Sequence, residues 1–176
     1  MEQRLSPTDV GSGAHFKPVV TLSFRFFGAP TTVQTFGFIG AQLVGGCIGT
    51  MVANLMFDLP AVNVSTHART SGGLWLSETV ATAGLLLLIH GLVRSGRSQT
   101  AAFAVGAWIG GAYWFTSSTS FANPAVTVAR MLSNTFAGIK PSSAPMFIVI
   151  QLIGLGVAVP LVRFLYPSDC SITEQP

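Results

Sequence analysis

The chain has 176 residues, of which 49% are hydrophobic and only 9% are charged. Soluble domains carry about 25% charged residues, so a chain this apolar could not cover the surface of a soluble fold of its size. The net charge of +3 comes from scattered basic residues, without the basic face that nucleic-acid-binding proteins present. The composition therefore predicts a membrane protein and argues against a nucleic-acid partner.

Four apolar stretches predict transmembrane helices, because a span needs about 20 mostly apolar residues. They cover residues 35–57, 73–93, 100–116 and 144–165. Glycines four residues apart occur in the first stretch (Gly45, Gly49) and in the third (Gly106, Gly110). This spacing lets helix backbones approach closely in lipid. The pattern therefore predicts an all-α bundle rather than a single membrane anchor.

The loops predict how the bundle is oriented. Arg94 and Arg97 lie in a very short connection between the second and third stretches, and short loops with Lys or Arg tend to face the cytoplasm. Arg163 and both chain ends then fall on the cytoplasmic side, and the loop 58–71 falls outside. We expect a multi-pass protein of the cell membrane, in contact with its lipids, with both termini cytoplasmic.

Two shorter segments, 15–27 and 123–136, have an apolar helical pattern too short to span the membrane and are typical of re-entrant helices. Residues 16–22 (FKPVVTL) resemble residues 122–128 (ANPAVTV), since proline, valine and threonine coincide. Proline is well tolerated in a first helical turn, and an asparagine just before it can cap the helix. Two half-helices that meet at their N-termini would bring two positive dipole ends together in the bilayer.

These residues resemble the major intrinsic protein family, the aquaporins and glycerol channels. Residues 120–127 (SFANPAVT) carry the family's Asn-Pro-Ala box intact, and residues 12–21 (SGAHFKPVVT) look like its first box and lead-in. Glu78 and Thr82 look like the buried glutamate motif on the family's fourth helix. The resemblance covers roughly residues 11–165. It implies a passive channel for small uncharged solutes, a homotetramer with one pore per subunit, and no cofactor.

The resemblance also implies an incomplete first half. The family has six spans and two half-helices, whereas this chain supplies one half-helix and four spans in the order of the family's helices three to six. We expect a polar segment over 1–11, a remnant of the first channel repeat over 12–57, a second repeat over 73–166, and a cytoplasmic tail over 167–176. The chain thus resembles an N-terminally truncated member.

The resemblance assigns a set of pore and selectivity residues: Lys17, Pro18, Val19, Gly111, Ser120, Asn123, Pro124, Ala125 and Val126. Lys17 stands where the family has asparagine. A lysine cannot accept a hydrogen bond, and its charge costs about 2.5–3.5 kcal/mol at the bilayer centre, so we expect Lys17 to impair the first half of the pore. Val126 stands where the family usually has arginine, and Gly111 where water-selective members have histidine. Both imply a wide filter that admits glycerol or larger uncharged metalloid acids.

Two other functions remain open. The chain could be a nonconducting membrane protein, or a small proton-coupled transporter that uses Glu78, because an intramembrane carboxylate is a functional candidate by default. The resemblance implies instead that Glu78 holds the second pore loop by hydrogen bonds. Ser, His and acidic residues show no catalytic spacing, and Cys47 and Cys170 show no metal-binding spacing. The sequence therefore predicts neither an enzyme nor a metal site.

Overall fold

The computed structural model describes residues 16–28 and 30–166. Over these residues the chain forms α1 Pro18–Phe26, α2 Thr32–Met56, α3 Gly72–Arg94, α4 Ala101–Phe115, α5 Pro124–Ala129 and α6 Ala144–Leu165, with 3-10 turns at Ser98–Thr100 and Arg130–Leu132. The predicted terminal segments 1–11 and 167–176, and residues 12–15 of the first box, lie outside the described residues.

Three of the four predicted spans are helices long and apolar enough to cross a membrane, judged by length and composition. They are α2, α3 and α6, with 25, 23 and 22 residues. At 1.5 Å per residue, each exceeds the hydrocarbon core of about 30 Å. The remaining predicted span, 100–116, is the 15-residue helix α4 preceded by a 3-10 turn, so it is shorter as an α-helix than the sequence pattern indicated.

Helix starts follow local capping chemistry. The Thr31 hydroxyl accepts a hydrogen bond from the Gln34 N–H, and the Gln34 side chain accepts one from the Thr31 N–H, which forms a capping box at α2. Ser71 caps α3 through the N–H of Leu74. Each cap supplies partners for backbone groups that a helix end would otherwise leave unpaired.

Small residues let α3 pack closely on both of its neighbours. A Cβ built at Gly154 of α6 would lie 2.8 Å from the Thr82 Cβ, and one built at Gly84 would lie 2.2 Å from the Trp108 ring of α4. The glycines singled out in the sequence, Gly45, Gly49, Gly106 and Gly110, have no heavy atom within 4 Å at that position. The close approach of α2 instead falls on Gly46, whose Cβ would lie 3.4 Å from the Ala129 Cβ of α5.

The half-helices α1 and α5 lie between α2 and α6, and each of them contacts both long helices. The C-terminal end of α1 lies beside the end of α3, where the Ser23 hydroxyl is 3.0 Å from His90 Nε2. The end of α5 lies instead against the loop 58–71, where the Ser65 N–H donates to the Met131 carbonyl at 2.9 Å. The two half-helices therefore point towards opposite ends of the bundle, as inverted repeats do.

Candidate solute pathway

Asn123 joins the starts of the two half-helices. Its Oδ1 accepts hydrogen bonds from the backbone N–H groups of Ala125 and Val126, at 3.0 and 3.4 Å, which caps α5. Its Nδ2 donates to the carbonyl of Phe16 at 3.3 Å. Phe16 lies two residues before Pro18, where α1 begins, so this bond connects the N-terminal ends of α1 and α5 directly.

Lys17 occupies the same backbone position at α1 as Asn123 does at α5. Both have extended backbone angles. In each case the threonine four residues later donates its N–H and its hydroxyl to the carbonyl of this residue, Thr21 to Lys17 and Thr127 to Asn123. The Lys17 side chain, however, makes no capping hydrogen bond. The two boxes therefore share a backbone conformation and differ in the cap.

A cavity of about 410 Å³ opens beside Asn123, between α2 and α5. Three of the predicted pore residues line it: Asn123, Ala125 and Val126. The other lining residues lie on α2 or before α1: Phe16, Phe38, Ala41, Gln42, Gly45 and Gly46. The sequence pattern marked Gly45 for helix packing but did not predict that α2 lines this cavity, although the small residues Ala41 and Gly45, four apart, mark one face of a helix.

The remaining predicted pore residues lie away from the cavity lining. Pro18, Val19 and Pro124 are buried in the packing of the half-helices, and Lys17 is half-buried. Gly111 lies on an exposed part of α4, where the nearest atom to a built Cβ is in Phe115, 3.9 Å away. The structure therefore gathers Asn123, Ala125 and Val126 at the cavity and leaves Gly111 apart from them.

Glu78 is fully buried in α3 and accepts three hydrogen bonds. The N–H groups of Phe121 and Ala122 donate to its two carboxylate oxygens at 3.2 and 2.5 Å. Gln151 of α6 donates its Nε2 to Glu78 at 2.8 Å and to the Thr127 hydroxyl at 2.9 Å. One carboxylate and one amide thus fix the loop before α5 and the first turn of α5 to the α3–α6 pair.

The loop before α5 has an unusual backbone. Thr119, Ser120 and Ala122 have φ angles of 58°, 46° and 44°, and each such residue other than glycine costs of order 1–3 kcal/mol. The hydroxyls of Ser120 and Thr82 are buried without a hydrogen-bond partner within the described part of the chain. The loop therefore depends on the contacts around it, above all those of Glu78.

Arg69 is a buried cation that the sequence analysis did not select. It reaches from the loop 58–71 to the carbonyls of Ser118, Phe136 and Gly138. Burial, and next the charge of nearby Arg130, lowers the pKa of Arg69 from its usual value. No spacing in the sequence marks Arg69, because its partners are backbone carbonyls that lie far along the chain.

Comparison with known proteins identifies the family of the chain. Residues 7–117 match the family model described as Major intrinsic protein. The Aquaglyceroporin AqpS of Rhizobium meliloti (strain 1021) is 46% identical over 164 residues, which are 93% of this chain and 70% of AqpS. The chain belongs to the major intrinsic protein family.

Plant relatives match a smaller part of this major intrinsic protein. The Probable aquaporin NIP4-2 of Arabidopsis thaliana is 33% identical over 99 residues, 54% of the chain and 35% of the relative. The Probable aquaporin NIP-type of Nicotiana alata is 35% identical over 99 residues, 54% of the chain and 37% of the relative. No solved structure matches the chain.

Membership of this family confirms two predictions made from the sequence, the family itself and the all-α membrane class. With α2, α3 and α6 each able to span a bilayer, the protein is an integral multi-pass membrane protein. It belongs to a family of channels for small solutes such as water and glycerol.

Proposed function

We propose that this chain conducts small uncharged solutes passively along a pathway that passes Asn123. The observation that carries the proposal is the hydrogen bond from Asn123 Nδ2 to the Phe16 carbonyl at 3.3 Å. It brings two helix N-termini together beside a cavity of about 410 Å³. Two positive dipole ends repel cations and protons, while polar side chains hold a neutral solute by hydrogen bonds.

The lining of the cavity favours glycerol-sized solutes over water alone. Val126 lines the cavity at the position where the family usually has arginine, so an apolar side chain replaces a long cation there. The name of AqpS, an aquaglyceroporin, supports the same solute class. Gly111 does not line this cavity, so the proposal of a wide filter rests on Val126. Larger uncharged metalloid acids belong to the same class of solute that a filter without the long cation would admit.

Flux into proteoliposomes tests the proposal. We expect the chain to admit both water and glycerol faster than empty liposomes do. Val126→Arg should reduce glycerol entry by about tenfold or more, a loss of about 1.4 kcal/mol, because a guanidinium fills the opening. Val126→Leu, which keeps an apolar side chain, is the matched control. Entry of water without glycerol would contradict the wide filter, and no entry of either would favour a nonconducting protein.

The contacts of Glu78 favour a fixed structural role over proton transfer. Its carboxylate accepts from Phe121, Ala122 and Gln151, so these bonds hold the loop before α5 against its neighbours. We therefore expect solute flux to be unchanged when a pH gradient is imposed on the liposomes. Flux that rises with the gradient would favour a proton-coupled transporter.

Two further spans would complete the first half of the channel. Of the 25 residues of α2, only Thr35 and Asn54 are buried in the described structure, and the cavity beside Asn123 opens along this helix. The family's first two helices would cover such a surface. A nonconducting protein is the second candidate function, and Lys17, which lacks a capping bond, favours it. Solute flux through a Lys17→Asn variant, measured with and without two added family helices, separates the effect of Lys17 on conduction from the effect of the added helices.

The positions of the arginines support an orientation in the membrane, and the resemblance supports an assembly. Arg94 donates to the Tyr166 carbonyl, so the ends of α3 and α6 lie together with Arg163 at one end of the bundle. This concentration of arginines supports a plasma-membrane protein with that end and both termini cytoplasmic. A homotetramer surrounded by lipid is the assembly that the family implies. Protease access to tagged termini in intact cells, and the mass of the detergent-solubilised protein, test these points.

A further inference from the structure

The loop 58–71 pairs with the chain that follows α5. The Asn63 N–H donates to the Leu132 carbonyl at 2.9 Å, and the Lys140 N–H donates to the His67 carbonyl at 2.7 Å. Asn54, near the end of α2, adds a side-chain bond to the Leu132 carbonyl at 2.9 Å. The loop thus connects the first repeat to the segment just beyond the second half-helix.

Two arginines hold three consecutive carbonyls of that segment. Arg69 donates its Nη2 to Phe136 at 3.2 Å and its Nε to Gly138 at 2.9 Å. Arg130, at the end of α5, donates its Nη1 to the carbonyl between them, Ala137, at 3.1 Å. Every carbonyl from 136 to 138 is therefore bound to a guanidinium, and these carbonyls are fixed in direction.

Arg69 also reaches the other side of α5. Its Nη1 donates to the Ser118 carbonyl at 2.9 Å, ahead of the residues with positive φ. A single buried side chain from the loop 58–71 thus ties together the segments before and after α5. A guanidinium can do this because its planar fork carries five donors in fixed directions, which an ammonium group does not.

The ring of Phe121 links this arrangement to the cap of α5. The guanidinium carbons of Arg69 and Arg130 lie 4.7 and 4.8 Å from the ring centroid, within the range of cation–π attraction. Phe121 lies two residues before Asn123, and its N–H is bound to Glu78. A displacement of Arg69 would therefore be transmitted to Asn123 through one ring and two peptide units.

We propose that Arg69 is a positioning residue of the solute pathway, which acts through Phe121 and the Ser118 and Gly138 carbonyls to fix Asn123 and so limits the size of the solute that passes. The inference rests on the proposed channel function and deepens it. The loop 58–71 becomes part of the selectivity apparatus, although it contributes no residue to the cavity lining. A purely structural Arg69 would change the amount of folded protein without changing which solutes pass.

The first experiment compares solute sizes in proteoliposomes that contain the full chain with Arg69→Lys or Arg69→Gln. Per inserted molecule, we expect the ratio of five-carbon polyol flux to glycerol flux to rise by about threefold or more in both variants, a change of about 0.65 kcal/mol. Lys140→Gln is the matched control, because Lys140 is exposed in the neighbouring segment and its contact with His67 uses only the backbone. An unchanged ratio, with or without a lower total flux, would overturn the proposal.

A second experiment does not depend on transport. Backbone hydrogen exchange in detergent should accelerate by about tenfold over 118–123 and 136–139 in the Arg69 variants, a local change of about 1.4 kcal/mol, while α1 keeps its rates. Equal acceleration everywhere, or none over these two segments, would overturn the positioning role. If neither Arg69 variant inserts, Arg130→Gln, which loses the Ala137 bond and the contact with the Phe121 ring but keeps all the bonds of Arg69, should show a smaller change of the same kind. If hydrogen exchange accelerates locally in the Arg69 variants but the wild-type chain shows no solute flux, the positioning role stands and the proposed channel function fails.

Discussion

The half-helices α1 and α5 begin alike and are held differently. Each starts with an extended residue followed by proline, and each has a threonine that bonds back to the carbonyl of the extended residue. At α5, the Asn123 side chain adds a cap. At α1, Lys17 has none. The shared sequence pattern therefore fixes the backbone of each half-helix and not its anchoring.

The anchoring groups come from neighbouring helices and differ in their chemistry. Gln42 of α2 donates to the Thr21 hydroxyl at 3.1 Å, as Gln151 of α6 donates to Thr127 at 2.9 Å. Gln151 in addition binds Glu78. The other carboxylate in the described part of the chain, Asp58, follows α2 in the loop. The comparison teaches that Glu78, Gln151 and Thr127 form a connected polar network that holds α5. At α1, the bond from Gln42 to Thr21 corresponds to the bond from Gln151 to Thr127.

The largest effect should come from removing the carboxylate. Glu78→Leu would leave the N–H groups of Phe121 and Ala122 and the Gln151 amide short of an acceptor, at about 1–3 kcal/mol for each group. We expect the free energy of unfolding to fall by about 3–5 kcal/mol. Unfolding in mixed detergent micelles, followed by circular dichroism, measures this change. Glu78→Gln, which keeps the size, should lose less. A loss below about 1 kcal/mol for Glu78→Leu would show that the network does not hold α5.

The two amides provide a matched pair. Gln151→Leu should lower the free energy of unfolding by about 2 kcal/mol, because it removes a bond to a charged group and one to Thr127. Gln42→Leu should cost less, about 1 kcal/mol, because its bond to Thr21 joins two uncharged groups. The same unfolding measurement applies to both variants. Equal losses would remove the distinction between the two half-helices.

The contact between α2 and α5 should respond to added volume at one glycine only. Gly46→Leu should destabilise the protein by about 1–3 kcal/mol, because its new side chain would meet Ala129 and the Ala125 carbonyl. Gly49→Leu adds the same volume where no atom lies within 4 Å, so thermal stability should stay the same or increase. Similar losses at both positions would contradict this packing.

The smallest effects concern the caps. Asn123→Ala should lower the free energy of unfolding by about 1 kcal/mol through the lost cap. Lys17→Asn should raise it by about 1 kcal/mol, since it adds a cap and removes a charge that opposes the helix dipole. Lys17→Ala, which removes only the charge, separates these two contributions. A loss of stability in Lys17→Asn would mean that the Lys17 ammonium stabilises the start of α1.

Several parts of the fold follow from local patterns. The apolar runs that became α2, α3 and α6 exceed the length of a span, and Pro18 and Pro124 each stand at a helix start, as a residue without an N–H can. The third run is shorter as an α-helix than predicted, because α4 begins at Ala101 only after a 3-10 turn. The glycine pairs indicated close packing in general, but which glycine meets a neighbour depends on the face that its helix presents.

The sequence by itself determined that the protein is membrane-embedded, which family it belongs to, and where both half-helices begin. Composition and the length of the apolar runs can be read directly from the chain, and each proline box sets a helix start within a few residues. Only the tertiary structure decided that Gly46 rather than Gly45 meets α5, that Gly111 lies apart from the cavity, and that Arg69 binds both flanks of the second box. These outcomes depend on groups far apart in the chain, often backbone carbonyls, which have the same chemistry at every residue and so leave no pattern in the sequence.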